Sequence, residues 1–240
     1  MKSEGFSIEH FSTLTSTNDH AMGYDYPHGT VIVAENQTAG RGQRGNLWQA
    51  QAGANLTFSL VVHPRHIPVC EQYTISMIAA LAACDTLREW GVDCEIKWSN
   101  DIYVNDKKIG GILIEHSFHS ENLAKSVIGV GLNINQTHFP PEIPNPTSMS
   151  LLCGGSYDKT PILDAFITCF RERYSQSNTR LHADYTQRLW RREGQWRFRD
   201  KEGDFVASIR EVDNKTGQLT LLDERGELRR YWFKEVEFLL

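Results

Sequence analysis

The 240-residue chain has no apolar run approaching the roughly 20 residues that a membrane-spanning helix needs. Its first residues, Met1 to Thr17, scatter Lys2, Glu4, Glu9 and His10 among isolated apolar side chains, so the apolar core of a secretory signal is missing as well. Cysteine is sparse: five residues, at 70, 84, 94, 153 and 169, form no Cys-x-x-Cys pair and no dense framework. A cytoplasmic protein with no membrane partner is expected. Basic charge is not in excess, since 25 Lys and Arg face 30 Asp and Glu for a net charge of −5. Proteins that release counterions from phosphate backbones carry a basic stripe, so no nucleic-acid partner is expected. A Gly-Lys-Ser/Thr ending of the phosphate-loop type is absent. His63-x-x-His66 and His116-x-x-His119 lack the helix context and acidic companion of a zinc site, and are expected to be surface or packing histidines.

With 40% hydrophobic residues the chain can bury a large core. Thr30 to Ala34 and Asn55 to Val62 read as strands, and Tyr73 to Trp90 as an amphipathic helix that stops at Gly91 and packs on a sheet. Strands follow at Cys94 to Trp98, Asp101 to Val104, Ile109 to Glu115 and Val127 to Ile134, with a hairpin turn at Asn105 to Lys108. The glycines of the last strand mark either a bulge or a place where something approaches closely. A helix is expected over Pro161 to Tyr174 with Thr160 as its N-cap, and a short one over Ala183 to Trp190. Beyond about Arg192 short strands recur at regular spacing. The expected fold class is α+β: a mixed sheet packed with helices over residues 1–190, then a small β-barrel-like domain over 191–240. Trp190, Trp196 and Trp232 are expected to pack between the two.

Three segments carry polar chemistry. In the loop Glu35 to Trp48, Gly40, Gly42 and Gly45 surround Arg41 and Arg44, so that backbone N–H groups can approach an anion beside fixed positive charge. In the second, Asn100 and Asp101 open a strand and Lys108 opens the next, where a lysine can bridge two anions as charge moves between them. In the third, Asn133 and Asn135 stand on alternate positions of a strand and so point to one face.

Together with Ser16-Thr17-Asn18, these segments make the chain resemble the biotin protein ligase family from Ser16 onward. The matching pieces are Ser16-Thr17-Asn18, Gln37-Thr-Ala-Gly-Arg-Gly with Trp48 following, Lys97-Trp-x-Asn-Asp101, Lys108-Ile-Gly-Gly-Ile-Leu-Ile-Glu115, and Gly129 to Asn133. The resemblance implies a class II synthetase-like biotin/lipoate ligase fold and an ATP-dependent enzyme. Such an enzyme makes biotinyl adenylate and transfers biotin to a lysine on the carrier domain of a biotin-dependent carboxylase, with Mg²⁺ arriving on ATP. It implies biotin contacts from Ser16, Thr17, Asn18, Gln37, Arg41, Gly42, Gln43 and Lys108, and ATP contacts from Arg41, Trp48, Asn100 and Asn133. Lys108, Arg41 and Asp101 become the catalytic group, Asp101 orienting the incoming amine. A homodimer is compatible with the family.

Two departures stand out. Many members read Gly-Arg-Gly-Arg where this chain has Gly40-Arg-Gly-Gln43, which shifts charge stabilisation onto Arg41 and Lys108, with the adjacent Arg44 as a substitute. Only 15 residues precede Ser16, too few for the DNA-binding domain of repressor-type members, so a monofunctional ligase is expected. The alternative is a lipoate or octanoate ligase or transferase acting on a carrier lysine. A thioester-forming transferase would need an activated cysteine beside a lysine, and all five cysteines fall in or beside apolar elements.

Overall fold

The computed structural model describes residues 5–239 apart from the side chain of Arg44. Its larger sheet takes strands β1 (Ser7–Leu14), β2 (Thr30–Gln37), β3 (Leu56–Val62), β4 (Glu95–Lys97), β5 (Asp101–Val104), β6 (Lys107–His119) and β7 (Asn122–Leu132). Their order is β1-β2-β3-β7-β6-β5-β4, with β1 and β2 parallel and every other pair antiparallel. Successive side chains of a strand point to opposite faces, and β3 shows the consequence. Leu56, Phe58, Leu60 and Val62 belong to the main core. Val61 joins Ala21, Ile32 and Val127 in a small cluster, while Thr57 lines the cleft described below and Ser59 bonds to Thr17 and Asn18 at its edge.

The helical layer is α2 (Tyr73–Glu89), α4 (Lys159–Tyr174) and α5 (Asn178–Gln187); two short helices, α1 (Thr17–Gly23) and α3 (Met149–Cys153), sit outside it. Thirteen of the seventeen residues of α2 are buried, so it is the centre of a layer rather than the amphipathic helix its spacing suggests. The reason is that α4 and α5 cover the side turned away from the sheet. It ends as expected, with Gly91 at φ +75° directly after the cap. The N-cap of α4 is Asp158, whose carboxylate accepts from Thr160 N–H at 2.9 Å; this carboxylate outcompetes the Thr160 hydroxyl and moves Pro161 to the third helical position, whose N–H is an orphan anyway. The expected Ala183 to Trp190 helix starts five residues earlier, because Ser177 caps it by accepting from Arg180 N–H.

The hairpin turn is tighter than expected. Only Asn105 and Asp106 separate β5 from β6, with Asn105 at φ +54°, so Lys107 and Lys108 already lie in the strand. The C-terminal strands β8 (Trp196–Asp200), β9 (Gly203–Val212), β10 (Leu219–Asp223), β11 (Leu228–Tyr231) and β12 (Glu237–Phe238) form an antiparallel sheet in the order β11-β10-β9-β8-β12. It is docked by aromatic contacts: Trp98 donates its indole N–H to Gly217 O at 2.9 Å and lies 5.4 Å from the Phe233 ring. Trp190 fits between Tyr103 and Phe238 as expected, but Trp196 and Trp232 are on the surface, Trp196 covering Arg191 instead. No helix among the described residues is long and apolar enough to cross a membrane.

Candidate active site

A cleft of about 1330 Å³ opens between the large sheet and the C-terminal sheet. Its floor is the face of β6 and β7 that carries Gly111, Leu113, Gly129 and Gly131. These glycines resolve the choice between bulge and close approach in favour of approach. A Cβ on Gly129 would stand 2.3 Å from Asn18 Oδ1, and one on Gly131 would stand 2.3 Å from Trp48 Cε2. The backbone is bare there because two side chains lie directly on it.

At one end, α1 presents Ser16, Thr17 and Asn18 from its N-terminus, all buried. Ser16 caps the helix by accepting from Asp19 N–H at 3.3 Å. Gln37 Oε1 accepts from Thr17 N–H at 2.7 Å, which fixes the Gln37 amide on the cleft wall. Ser59 Oγ lies 2.8 Å from Thr17 Oγ1 and 2.6 Å from Asn18 Oδ1. Asn18 Nδ2 donates to Leu113 O and to Glu115 Oε2 at 3.2 and 2.9 Å. A helix of seven residues has little stability of its own. Lys125 supplies the missing restraint by donating to Ala21 O and Tyr24 O, both at 2.6 Å, at the C-terminal end.

Across the middle run the paired β5 and β6. Lys108 Nζ lies 2.7 Å from Asp101 Oδ1, so the expected cation and carboxylate meet in one ion pair on the cleft wall. Lys108 is held by its backbone as well: its N–H donates to Asn145 O and its carbonyl accepts from Thr147 N–H, which draws the proline-rich segment 140–146 along the cleft. Asn100 lies beside them but points its amide into the sheet, donating to Ile112 O at 2.5 Å. Next to Asp101, Lys97 is largely enclosed by Tyr103, Trp190 and Phe238, and burial lowers its ammonium pKa below the usual lysine range.

The glycine-rich loop forms the opposite wall. Trp48 packs over the paired Gly111 and Gly131, 5.9 Å from Lys108 Nζ, and its indole N–H is buried without a partner. Gly40 is required here because a Cβ would meet Trp48 O at 2.5 Å. Arg41 turns toward α1 and β6: Nη2 lies 2.6 Å from both Asp19 Oδ1 and Glu115 Oε2, and Glu115 first of all raises the arginine pKa. Gly42 and Gln43 line the cleft, with Gln43 O accepting from Lys234 Nζ at 2.8 Å and Gln43 Oε1 receiving Ser99 Oγ at 3.4 Å. The expectation about Arg44 falls on a side chain outside the described residues.

Asn133 and Asn135 do not share a face, because β7 ends at Leu132 and the chain turns between them. Asn133 lines the cleft while donating to Thr147 O and accepting from Asn55; Asn135 instead binds Tyr157 away from it. Sequence reasoning gave no role to Asp19, Ser59 or Lys125, which hold the α1 end from behind, nor to Arg199, Arg230 and Lys234 of the C-terminal region, which line the cleft. Their isolated positions carry no local pattern, and only the strand order brings them in. None of the five cysteines lines it; burial pushes Cys169 up to about 11, and the contact with Cys84, followed by burial, raises Cys94 too. The two histidine pairs also stay outside: His116 Nδ1 is 2.8 Å from Ser126 Oγ, and His28 Nδ1 accepts from His63 N–H.

The sequence and the fold have counterparts among known proteins. Residues 10–133 match the model of the biotin/lipoate A/B protein ligase family, a span from β1 to the end of β7 that contains both α1 and Lys108. The bifunctional ligase/repressor BirA of Bacillus subtilis is 36% identical over 167 residues, which are 68% of this chain and 51% of that protein. The biotin–[acetyl-CoA-carboxylase] ligase of Mycobacterium tuberculosis is 31% identical over 202 residues, 80% of this chain and 73% of its own length. The chain thus spans about half the length of the first of these curated relatives. Among solved structures, the biotin protein ligase of Aquifex aeolicus in complex with biotin and ATP superposes with a TM-score of 0.81, at 22% identity, over 96% of this chain and 97% of that one. That likeness establishes the fold, including the second sheet. The chain belongs to the biotin/lipoate A/B protein ligase family.

Proposed function

We propose that this chain activates biotin with ATP and transfers it to a lysine on the biotin carrier domain of a biotin-dependent carboxylase. The observation that carries the reading is the Lys108–Asp101 pair, set between a hydrogen-bonding end at Ser16, Thr17, Asn18 and Gln37 and an aromatic wall at Trp48. The names of the relatives support it, since the Mycobacterium protein is a biotin–[acetyl-CoA-carboxylase] ligase.

In the first half-reaction a carboxylate oxygen of biotin attacks the α-phosphorus of ATP and pyrophosphate leaves. Two anions meet in that step, and the Lys108 ammonium lowers their repulsion most where charge is moving. Asp101 holds the ammonium in place beforehand at 2.7 Å. Polar groups at the α1 end orient the acid, and Trp48 with Asn133 flanks the nucleotide. Mg²⁺ enters on the triphosphate as part of the substrate. In the second half-reaction the carrier amine attacks the mixed-anhydride carbonyl carbon, adenylate oxygen departs with AMP, and the amine loses a proton. Asp101 is the carboxylate placed to orient that amine and accept the proton. Arg41, bound to Asp19 and Glu115, closes the loop over the adenylate rather than carrying its charge alone.

The test is a single-turnover reaction of the purified chain with ATP, Mg²⁺, biotin and a carrier domain, followed by intact mass and peptide mapping. One biotinyl amide on one carrier lysine is expected. Modification with lipoate or octanoate but not biotin would assign the chain to the other branch of its family.

A further inference from the structure

A single row of residues crosses the floor of the cleft. Thr57 stands opposite Gly131, Gly131 opposite Gly111, Gly111 opposite Asp101, and Asp101 opposite Lys97, each pair on neighbouring strands. Residues paired in this way project to one face of a sheet, and all five line the cleft. Lys108 Nζ reaches back over this row, 3.3 Å from where a Cβ on Gly111 would stand. Lys97 ends the row on β4, two strand spacings beyond β6, or roughly 10 Å. The acid-binding end lies the other way, where Asn18 rests on Gly129 of β7 and Gln37 reaches in from β2.

The Lys97 ammonium has three N–H donors, and the one hydrogen bond it makes within the chain goes to the Tyr103 hydroxyl at 3.1 Å. Its other neighbours are ring faces, with Tyr103, Trp190 and Phe238 centred 4.7, 5.3 and 5.9 Å away. It forms no ion pair among the described residues, because Asp101 across the strands is bound to Lys108 instead. Burial lowers its pKa, as expected of a cation short of both water and partners. An anion arriving beside it would offset that cost.

The direction of the chemistry supplies the anion. In displacement at phosphorus the entering and leaving oxygens are roughly in line. With the acid entering from the α1 side of Lys108, the leaving side faces β5 and β4, along the row to Lys97. The carboxylate oxygen bonds to the α-phosphorus, the bond to the bridging oxygen breaks, and that oxygen departs with the electron pair, so negative charge grows on pyrophosphate as it moves that way. We propose that Lys97 binds the departing pyrophosphate and stabilises it as a leaving group, while Lys108 bridges the carboxylate and the α-phosphate. This rests on the proposed function, which supplies the acid, ATP and the direction of attack. It adds the residue that receives the leaving group.

The experiment runs the first half-reaction backwards in the full chain. Enzyme loaded with biotinyl adenylate is mixed with increasing magnesium pyrophosphate, and ATP formation is followed for wild type and Lys97→Met. Methionine keeps an apolar stem against the three rings and removes the charge. Half-saturating pyrophosphate should rise by about tenfold or more, the scale of one lost hydrogen bond to a charged group. The affinity for biotinyl adenylate, which contains no pyrophosphate, should stay at the wild-type value. A lysine that only docks the C-terminal sheet would move both constants together or neither, so equal weakening of the two, or unchanged half-saturation in the folded variant, overturns the proposal. Should Lys97→Met not fold, trace acetylation of the wild type with acetic anhydride decides: magnesium pyrophosphate should shield Lys97 and leave Lys107, exposed at the hairpin, unaffected. Equal acetylation of Lys97 with and without pyrophosphate overturns the proposal. A wild type that neither makes nor binds biotinyl adenylate would instead overturn the proposed function.

Discussion

Substituting Gly131 with alanine probes the aromatic wall without removing a polar group. Glycine gives way to a better strand former at a position with ordinary extended backbone, so the strand itself has no reason to suffer. The obstacle is the indole: the new Cβ would stand 2.3 Å from Trp48 Cε2, 2.4 Å from Cζ2 and 2.8 Å from Nε1. Ordinary contact begins near 3.4 Å, so the ring must retreat by about 1.1 Å, the difference between 3.4 and 2.3. Trp48 is on a loop and only half-buried, so it can move outward into the cleft. Overpacking of this kind costs about 1–3 kcal/mol, and most of it falls on whatever the displaced ring was supporting. For nucleotide binding that is a loss of roughly 5- to 150-fold. Calorimetric titration with a non-hydrolysable ATP analogue reads this directly, with biotin titrated separately and the melting temperature as a control. Nucleotide affinity should fall while biotin affinity and folding persist. In a Trp48→Ala background the same Gly131→Ala change should cost nothing further, because the atom it strikes is gone. Unchanged nucleotide affinity in the folded single variant would show that Trp48 is no part of the nucleotide wall.

Lys108→Ala should cut biotin-dependent ATP–pyrophosphate exchange by about a hundredfold or more, the scale of one lost charge-stabilising donor, while biotin still binds in calorimetry; exchange close to wild type would mean that another cation bridges the two anions. Asp101→Asn keeps shape but removes the charge beside Lys108, and is expected to slow transfer from preformed adenylate by at least about tenfold more than it slows adenylate formation. Equal slowing of both steps, read by rapid quench, would reduce Asp101 to a holder of Lys108. His116 gives a pH prediction: burial lowers its pKa from 6.5 to about 4, so between those values the unfolded chain binds the extra proton and stability rises with pH. Acidifying from pH 7 to about 4.5 should therefore cost on the order of 2–3 kcal/mol through this residue. Urea denaturation should show a smaller acid loss in His116→Gln than in wild type, and equal losses would refute the assignment.

The parts of the fold that sequence made legible are those whose pattern is local. Thr30 to Ala34 and Asn55 to Val62 read as strands because β-branched and aromatic residues cluster there, and Gly91 marks the end of α2 because a helix so often closes on a left-handed glycine. Strand β1 was hidden because it is the polar, exposed edge of its sheet, and β12 because it is two residues long. The full burial of α2 was illegible for another reason: which helices cover its outer face is a tertiary fact. In the site, Ser16, Thr17, Asn18, Gln37, Trp48, Asp101 and Lys108 were all named in advance and share one cleft. The direction of Arg41 was not legible, since its partners Asp19 and Glu115 lie 22 residues before it and 74 after it in the chain. Gly129 and Gly131 were legible as an oddity and became meaningful only when Asn18 and Trp48 were found lying on them.

ATP–pyrophosphate exchange with the purified chain and Mg²⁺, measured separately with biotin, lipoate and octanoate, tests the central claim most directly, because it isolates the adenylation that the Lys108 centre is proposed to perform. Exchange that depends on biotin and is not supported by the other two acids is the predicted result; exchange driven by lipoate or octanoate and not by biotin would contradict it.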